Sequence, residues 1–158
     1  MDPKRELLRH LLATVAYRGG KTLRGAPATF SSFKPGPASR SAGEILAHMG
    51  DLFDWALSLA KGAHEWHPAP PQPWDQEVAR FFGALGRFDA HVASDAPLGS
   101  SPEQIIQGPI ADALTHIGQL AMLRRLADAP VRAENYFKAD IAAGRIGPEQ
   151  APPRREFD

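Results

Sequence analysis

The sequence contains no cysteine, which excludes disulfide bonds, thiolate metal ligands and a cysteine nucleophile. It has no excess of either charge, because 18 lysine and arginine residues balance 18 aspartate and glutamate residues. Without such an excess, no overall field attracts nucleic acid or an anionic membrane. No apolar run approaches the about 18 residues that cross a bilayer. We therefore expect a cytoplasmic protein that binds neither nucleic acid nor membrane.

The chain of 158 residues is long enough for one domain with a core and too short for two comfortable ones. Recurring apolar residues predict four helices, near residues 4–18, 41–62, 74–94 and 102–128. Gly19-Gly20 is expected to end the first helix, and Ser41 with Glu44 matches a capping box at the start of the second. The predicted fold is all-α, a four-helix bundle over residues 1–130.

Several glycines, prolines and loops shape this bundle. Gly108-Pro109 predicts a kink or break in the fourth helix, and Gly83 with Gly86 indicates close helix packing in the third. Residues 21–40 form a long loop after the first helix, and Phe30 and Phe33 favour its docking on the bundle.

Residues 131–158 form a C-terminal extension. Tyr136, Phe137 and Ile141 make its first part too apolar to be solvated, so we expect residues 131–147 to pack on the bundle. The residues from Pro152 onward read as a solvated tail that is free to move.

The fourth helix carries polar residues on a mostly apolar surface. Its predicted apolar stripe consists of Ile110, Leu114, Ile117 and Ala121. Asp112, His116, Gln119 and Leu123 fall within roughly 60° of one another on the helix. A helix so apolar should be buried, which would carry Asp112 and His116 into the interior. A buried carboxylate needs a charged partner, a proton or a metal ion.

A metal site would explain these residues. Asp112 and His116, one turn apart, can bind the same ion, and His48 on the second helix can add a third ligand. Three protein ligands leave positions for water or substrate, as in catalytic rather than structural sites. Two alternatives stay open: His48 or His116 is an ordinary core histidine, or Asp112 pairs with His116, Arg87 or Lys138. His64 and His67, set among prolines, are not predicted ligands.

Two stretches resemble the DinB-like superfamily, also called YfiT-like metal-dependent hydrolases. They run from Ile45 to Trp55, around His48, and from Asp112 to Leu120, which contains His116-Ile-Gly-Gln. The family pattern has one histidine on the second helix and His-x-x-x-His-x-Gly-Gln on the fourth. The resemblance covers residues 1–128 and implies a four-helix bundle whose histidines hold a divalent ion.

The resemblance assigns a role to each candidate ligand. His48 matches the family's first ligand and His116 its last, whereas Asp112 stands where the family usually has a histidine. Zinc or nickel is the ion in many members, and the carboxylate also makes iron or manganese suitable.

The implied function is that of an enzyme, either a metal-dependent hydrolase or a thiol transferase, with a small molecule or a thiol as partner. Gln119 would orient water or substrate beside the ligands, and Glu44 is a candidate base that its capping position already explains. No catalytic residue is assigned. The alternative is a non-catalytic bundle with a vestigial site, acting as a small-ligand binding or interaction protein. A homodimer is compatible with the sequence, which leaves the oligomeric state open.

Overall fold

The computed structural model describes residues 2–157, which fold into an all-α bundle as predicted. Its first three helices are α1 (Pro3–Leu23), α2 (Ala42–Ala60) and α3 (Trp74–Ala93). The fourth position holds α4 (Pro102–Ile105), a π-helical turn (Ile106–Ile110) and α5 (Ala111–Leu126). Within residues 2–157 there is no strand, only an isolated bridge between Glu134 and Glu156. None of the described helices has the length and apolar character needed to span a membrane.

The capping box predicted for α2 is present in full. The Ser41 backbone N–H donates to Glu44 Oε2 over 2.6 Å, and the Glu44 backbone N–H donates to Ser41 Oγ over 3.1 Å. The hydrogen bond from the Ser41 backbone lowers the pKa of the Glu44 carboxyl. Both groups satisfy backbone donors that a helix start leaves unpaired, so the sequence fixes where α2 begins.

The first helix does not end at Gly19-Gly20, and this prediction is wrong. Helix α1 continues through both glycines to Leu23, and both are buried. A Cβ atom on Gly19 would lie 3.2 Å from the ring of Phe81 on α3. The glycine therefore permits a close approach between α1 and α3, which outweighs its low helix propensity.

A buried arginine joins the end of α1 to the end of α5. Arg124 Nη1 donates to the carbonyls of Thr22 and Arg24, over 2.9 and 3.0 Å, and Nε donates to the Ala129 carbonyl over 2.6 Å. Burial lowers the pKa of this guanidinium. Because the last carbonyls of a helix lack helical donors, Arg124 satisfies groups that would otherwise be left unpaired.

The buried face of α5 differs from the predicted stripe. Ala113, Ile117, Leu120 and Leu123 are buried, whereas Leu114 and Ala121 are only half-buried. A helix that is apolar on most sides does not reveal by periodicity which side faces the core. The predicted break is present, since Gly108 has non-helical angles (φ −89°, ψ −105°), and it starts α5 in a new phase.

The loop after α1 is ordered and packs on the bundle, as predicted. Phe30 is buried within a short 3₁₀ turn (Phe30–Ser32). Its ring lies 5.5 Å from that of Trp74 at the start of α3 and 6.5 Å from that of Phe33, measured between centroids. These contacts anchor the middle of the loop, so that its last residues run along the bundle toward α2.

The C-terminal extension contacts α1 through a buried charged cluster. Glu134 accepts hydrogen bonds from the Tyr17 hydroxyl (2.5 Å) and from Lys21 Nζ (2.7 Å). Lys21 Nζ also contacts Glu156 Oε2 at 2.9 Å. Burial and the Glu134 carboxylate raise the pKa of Tyr17. A buried charge is tolerated when it is paired and hydrogen-bonded, and this cluster meets that condition.

Two expectations for this extension need correction. Phe137 does not pack on the bundle but is 97% exposed. The residues beyond Pro152 are not a free tail: the Phe157 backbone N–H donates to the Ala133 carbonyl, and the Asn135 N–H donates to the Arg155 carbonyl. The polar composition of these last residues does not predict this backbone pairing, because the pairing depends on how residues 133–135 fold.

Truncation after Pro130 should lower the melting temperature by about 6 °C or more, because it removes the buried side chain of Ile146, the half-buried Ile141 and both ion pairs of Lys21. Phe137→Ala is the control and should leave the melting temperature unchanged, since that ring is exposed. An equally stable truncated protein in thermal denaturation would contradict the packing described here.

Glycine replacements should divide into two groups. At Gly86, in the middle of α3, a Cβ atom meets nothing within 4 Å, so Gly86→Ala should stabilise by about 0.5–1 kcal/mol. At Gly43 a Cβ atom would lie 3.0 Å from the Ser31 carbonyl oxygen, so Gly43→Ala should destabilise by about 1–3 kcal/mol. A Cβ atom on Gly83 would meet only Arg87 Nη1 of the same helix, at 3.4 Å, so the expected close helix packing at Gly83 and Gly86 is wrong. Urea denaturation of both variants checks the opposite signs.

Candidate metal centre

The structure brings together the three predicted ligands. His48 lies in the middle of α2, and Asp112 and His116 lie on the first two turns of α5. His48 Nε2 is 3.3 Å from Asp112 Oδ2, and His116 Nδ1 is 3.2 Å from Asp112 Oδ1. One ligand atom from each residue lies within 4.8 Å of the others. Within residues 2–157 this is the only group of three or more histidines and carboxylates so arranged.

The group lies at the margin of the bundle rather than in its interior. The side chains of His48 and His116 are 19% and 12% exposed, but that of Asp112 is 43% exposed. The expectation that α5 carries Asp112 into the core is therefore wrong. Its cause is the buried face of α5, which runs through Ala113 and Ile117 and leaves Asp112 beside the core.

Hydrogen bonding fixes which nitrogen of His116 is available. His116 Nδ1 lies 2.7 Å from the backbone carbonyl oxygen of Asp112. A carbonyl can only accept, so Nδ1 carries a proton, and Nε2 is the nitrogen that can ligate a metal ion when the ring is neutral. A backbone carbonyl that holds one ring nitrogen is the usual support for a histidine that ligates through the other.

The surroundings of His48 favour its neutral form. Burial lowers the pKa of the His48 imidazole, and the charges of His116 and Arg40 act in the same direction. The hydrogen bond to Asp112 opposes this shift but does not reverse it. Neutral imidazole is the form that binds metal, so His48 is prepared to act as a ligand.

Of the partners considered for Asp112 from the sequence, only His116 contacts its carboxylate within residues 2–157, with Nδ1 3.2 Å from Oδ1. Arg87, one of them, instead donates to Asp54 over 2.8 Å. The contacts of the Asp112 carboxylate within residues 2–157 are with the two imidazoles. A carboxylate with two histidines is an accepted ligand set for a divalent ion, so this group could hold a metal ion.

Trp66 is a neighbour of the site that the sequence did not reveal. It lies in the proline-rich connector between α2 and α3, and its ring is 5.6 Å from that of His48 and 5.9 Å from that of Trp55, between centroids. His64 and His67 of the same connector are exposed and lie outside the ligand group. An aromatic residue among prolines was the only signal for this contact.

A cavity of about 610 Å³ opens beside the two histidines. His48, His116 and Gln119 line it, which places Gln119 on the side predicted for it. The other lining residues come from the loop before α2, from α2 and from α5: Pro35, Ser39, Arg40, Ile45, Met122, Leu123 and Leu126. Glu44 is not among them, and its hydrogen bonds to Ser41 support the capping role.

A second cavity lies on the side of Asp112. It measures about 450 Å³ and is lined by Trp55, Gln107, Gly108, Ala111, Asp112 and Thr115. The ligand group thus separates two openings, one beside the histidines and one beside the carboxylate.

Comparisons with protein-family profiles, curated proteins and solved structures gave no match to this chain. The resemblance to the DinB-like superfamily accordingly rests on the motifs around His48 and His116.

His116→Ala should abolish zinc binding measured by isothermal titration calorimetry, because it removes one of three ligands and leaves a pair that cannot hold the ion tightly. The helical circular dichroism should be retained, since α5 keeps its buried apolar residues. His67→Ala is the matched control, as His67 is exposed and outside the group. If His116→Ala bound zinc with unchanged affinity, the zinc site would not include His116.

Proposed function

We propose that this protein is a metal-dependent enzyme of the DinB-like type that acts on a small molecule. The observation that carries the proposal is the convergence of His48, Asp112 and His116 beside a cavity large enough for such a molecule. Pockets of about 300–1,000 Å³ are typical of small-molecule sites. Ligands at the margin of a bundle, next to an open cavity, suit a catalytic ion better than a structural one.

The donor set favours certain ions. Two imidazole nitrogens and one carboxylate oxygen suit zinc, and nickel is the second choice. The oxygen ligand also admits iron or manganese. When bound, such an ion supplies either an activated water for hydrolysis or an activated thiol for transfer.

The residues of the chain have separate tasks in this proposal. His48 presents an imidazole whose neutral form is favoured by burial, and the Asp112 carbonyl holds the His116 ring in position. Gln119 offers an amide at the cavity wall, where it can orient a water or a substrate group. Ile45 and Leu123 form an apolar part of the cavity wall, against which an apolar part of a substrate can pack.

The alternative is a non-catalytic bundle that binds a small ligand. One observation favours it: the Asp112 carboxylate lies 3.3 Å from His48 Nε2 and 3.2 Å from His116 Nδ1, so this carboxylate has partners without an ion. In that case the site is vestigial and the cavity serves binding alone.

Metal analysis of protein purified without an affinity tag distinguishes the two functions. We expect about one zinc or nickel ion per chain and none in His116→Ala. The metal-bound protein should then hydrolyse a p-nitrophenyl ester or join a small thiol to monochlorobimane as a thioether, with release of chloride. Removal of the ion should abolish the activity. His67→Ala should retain both ion and activity. A wild-type protein that binds none of these divalent ions would support the non-catalytic alternative.

A further inference from the structure

The cavity beside His48 and His116 has walls of two kinds. Pro35, Ile45, Met122, Leu123 and Leu126 form an apolar surface. Met122 and Leu126 are each more than half exposed, although few large apolar side chains among residues 2–157 are. Apolar side chains exposed together at the mouth of a cavity indicate a surface that binds an apolar part of a ligand.

One cationic side chain, that of Arg40, lies beside this apolar surface. Arg40 lines the cavity, is exposed, and has no hydrogen bond or ion pair within residues 2–157. The other arginines that contact α2, Arg80 and Arg87, are paired with carboxylates. Arg40 therefore offers an unused guanidinium beside the candidate metal centre.

The charges around the cavity are unbalanced. Among the residues that the structure describes, no aspartate or glutamate lines it. Asp112 opposes only one of the two charges of a divalent ion when both histidines are neutral, and Arg40 adds another positive charge. Even without an ion, Arg40 is the only lysine, arginine, aspartate or glutamate among residues 2–157 that lines the cavity. An anionic ligand is thus favoured whether or not the ion is bound.

We infer that this cavity takes a small carboxylic acid with an apolar body, with the carboxylate on Arg40 and the body against Ile45, Met122 and Leu126. A guanidinium matches a carboxylate with two parallel hydrogen bonds. A phosphate dianion would call for more donors, whereas Ser39 and Gln119 are the only other side chains with hydrogen-bonding groups, besides the histidines, among the described residues of the wall. Met122 has a flexible side chain, so it can fit apolar bodies of different shapes.

Such a carboxylic acid would be the substrate class of the enzyme proposed above. Only the position of its reacting group beside the ion rests on that proposed function. Cavity and guanidinium are both present without metal. Binding to the metal-free protein therefore tests the ligand class separately from the metal site.

The test compares octanoate with octanamide, which has the same chain and no charge, by NMR titration of the metal-free protein at pH 8. Octanoate should bind about fivefold to tenfold more tightly than octanamide. Arg40→Gln should remove this preference while leaving the affinity for octanamide unchanged. Lys34→Gln is the matched control, because Lys34 lies in the same loop, pairs with Glu44 at 3.6 Å and does not line the cavity.

Leu126→Ala tests the apolar wall and should weaken both ligands equally, by about threefold. Its side chain is more than half exposed, so the substitution should not impair folding. Equal affinity of octanoate and octanamide, a preference that survives Arg40→Gln, or tighter binding of octyl phosphate than of octanoate would each overturn the assignment.

Zinc titration of the same samples separates the two proposals. An Arg40-dependent preference for octanoate in a protein that binds no divalent ion would leave the ligand class standing and the enzyme function refuted. Zinc binding without any preference for octanoate would support the metal centre and overturn the ligand class.

Discussion

The contact of one carboxylate with two imidazoles is the constraint that defines the site of this bundle. Asp112 lies within 3.3 Å of His48 on α2 and within 3.2 Å of His116 on α5. This arrangement requires α5 to present its residues 112 and 116 to α2. The break at Gly108 and Pro109 makes that possible, because proline lacks the N–H that would continue the helix and the π turn starts α5 in a new phase. π turns are frequent next to functional sites.

The same constraint connects the site to the rest of the molecule. Arg124, near the end of α5, is buried against the carbonyls at the end of α1 and fixes that end of the helix. The loop between α1 and α2 is anchored by Phe30 and ends at the capping box of Ser41, so Arg40 is held beside the cavity. The contacts of Arg124 near the end of α5 and the anchored loop between α1 and α2 thus position the ligands and the cavity wall.

Local sequence signals accounted for the beginning of α2, the break in the fourth helix and the one-turn spacing of Asp112 and His116, whereas the convergence of His48, 64 residues before Asp112, was expected from the predicted bundle and the family resemblance. Each local signal depends on neighbours in the chain or on one-turn spacing, which a sequence displays directly. The continuation of α1 through Gly19 was not predictable, because it depends on the ring of Phe81 from another helix. The exposure of Asp112 was missed for a related reason: α5 is apolar on most sides, and only packing decides which side is buried.

The roles of Trp66 and Arg40 also depend on tertiary contacts. Both lie in segments without periodicity, and neither belongs to the motif that suggests a metal site. Trp66 becomes notable only through its distance from His48, and Arg40 only because it lines the cavity without a carboxylate partner within residues 2–157. Loops carry such residues because a rigid scaffold can hold them beside a site.

The most direct measurement is a crystal structure of the zinc-soaked protein with anomalous diffraction recorded at the zinc absorption edge. We expect one anomalous peak between α2 and α5, about 2.0–2.1 Å from His116 Nε2 and from a His48 nitrogen, with an Asp112 oxygen about 2.0–2.2 Å away. A peak between His64 and His67, or no peak at the Asp112 group in crystals that contain zinc, would contradict the metal centre.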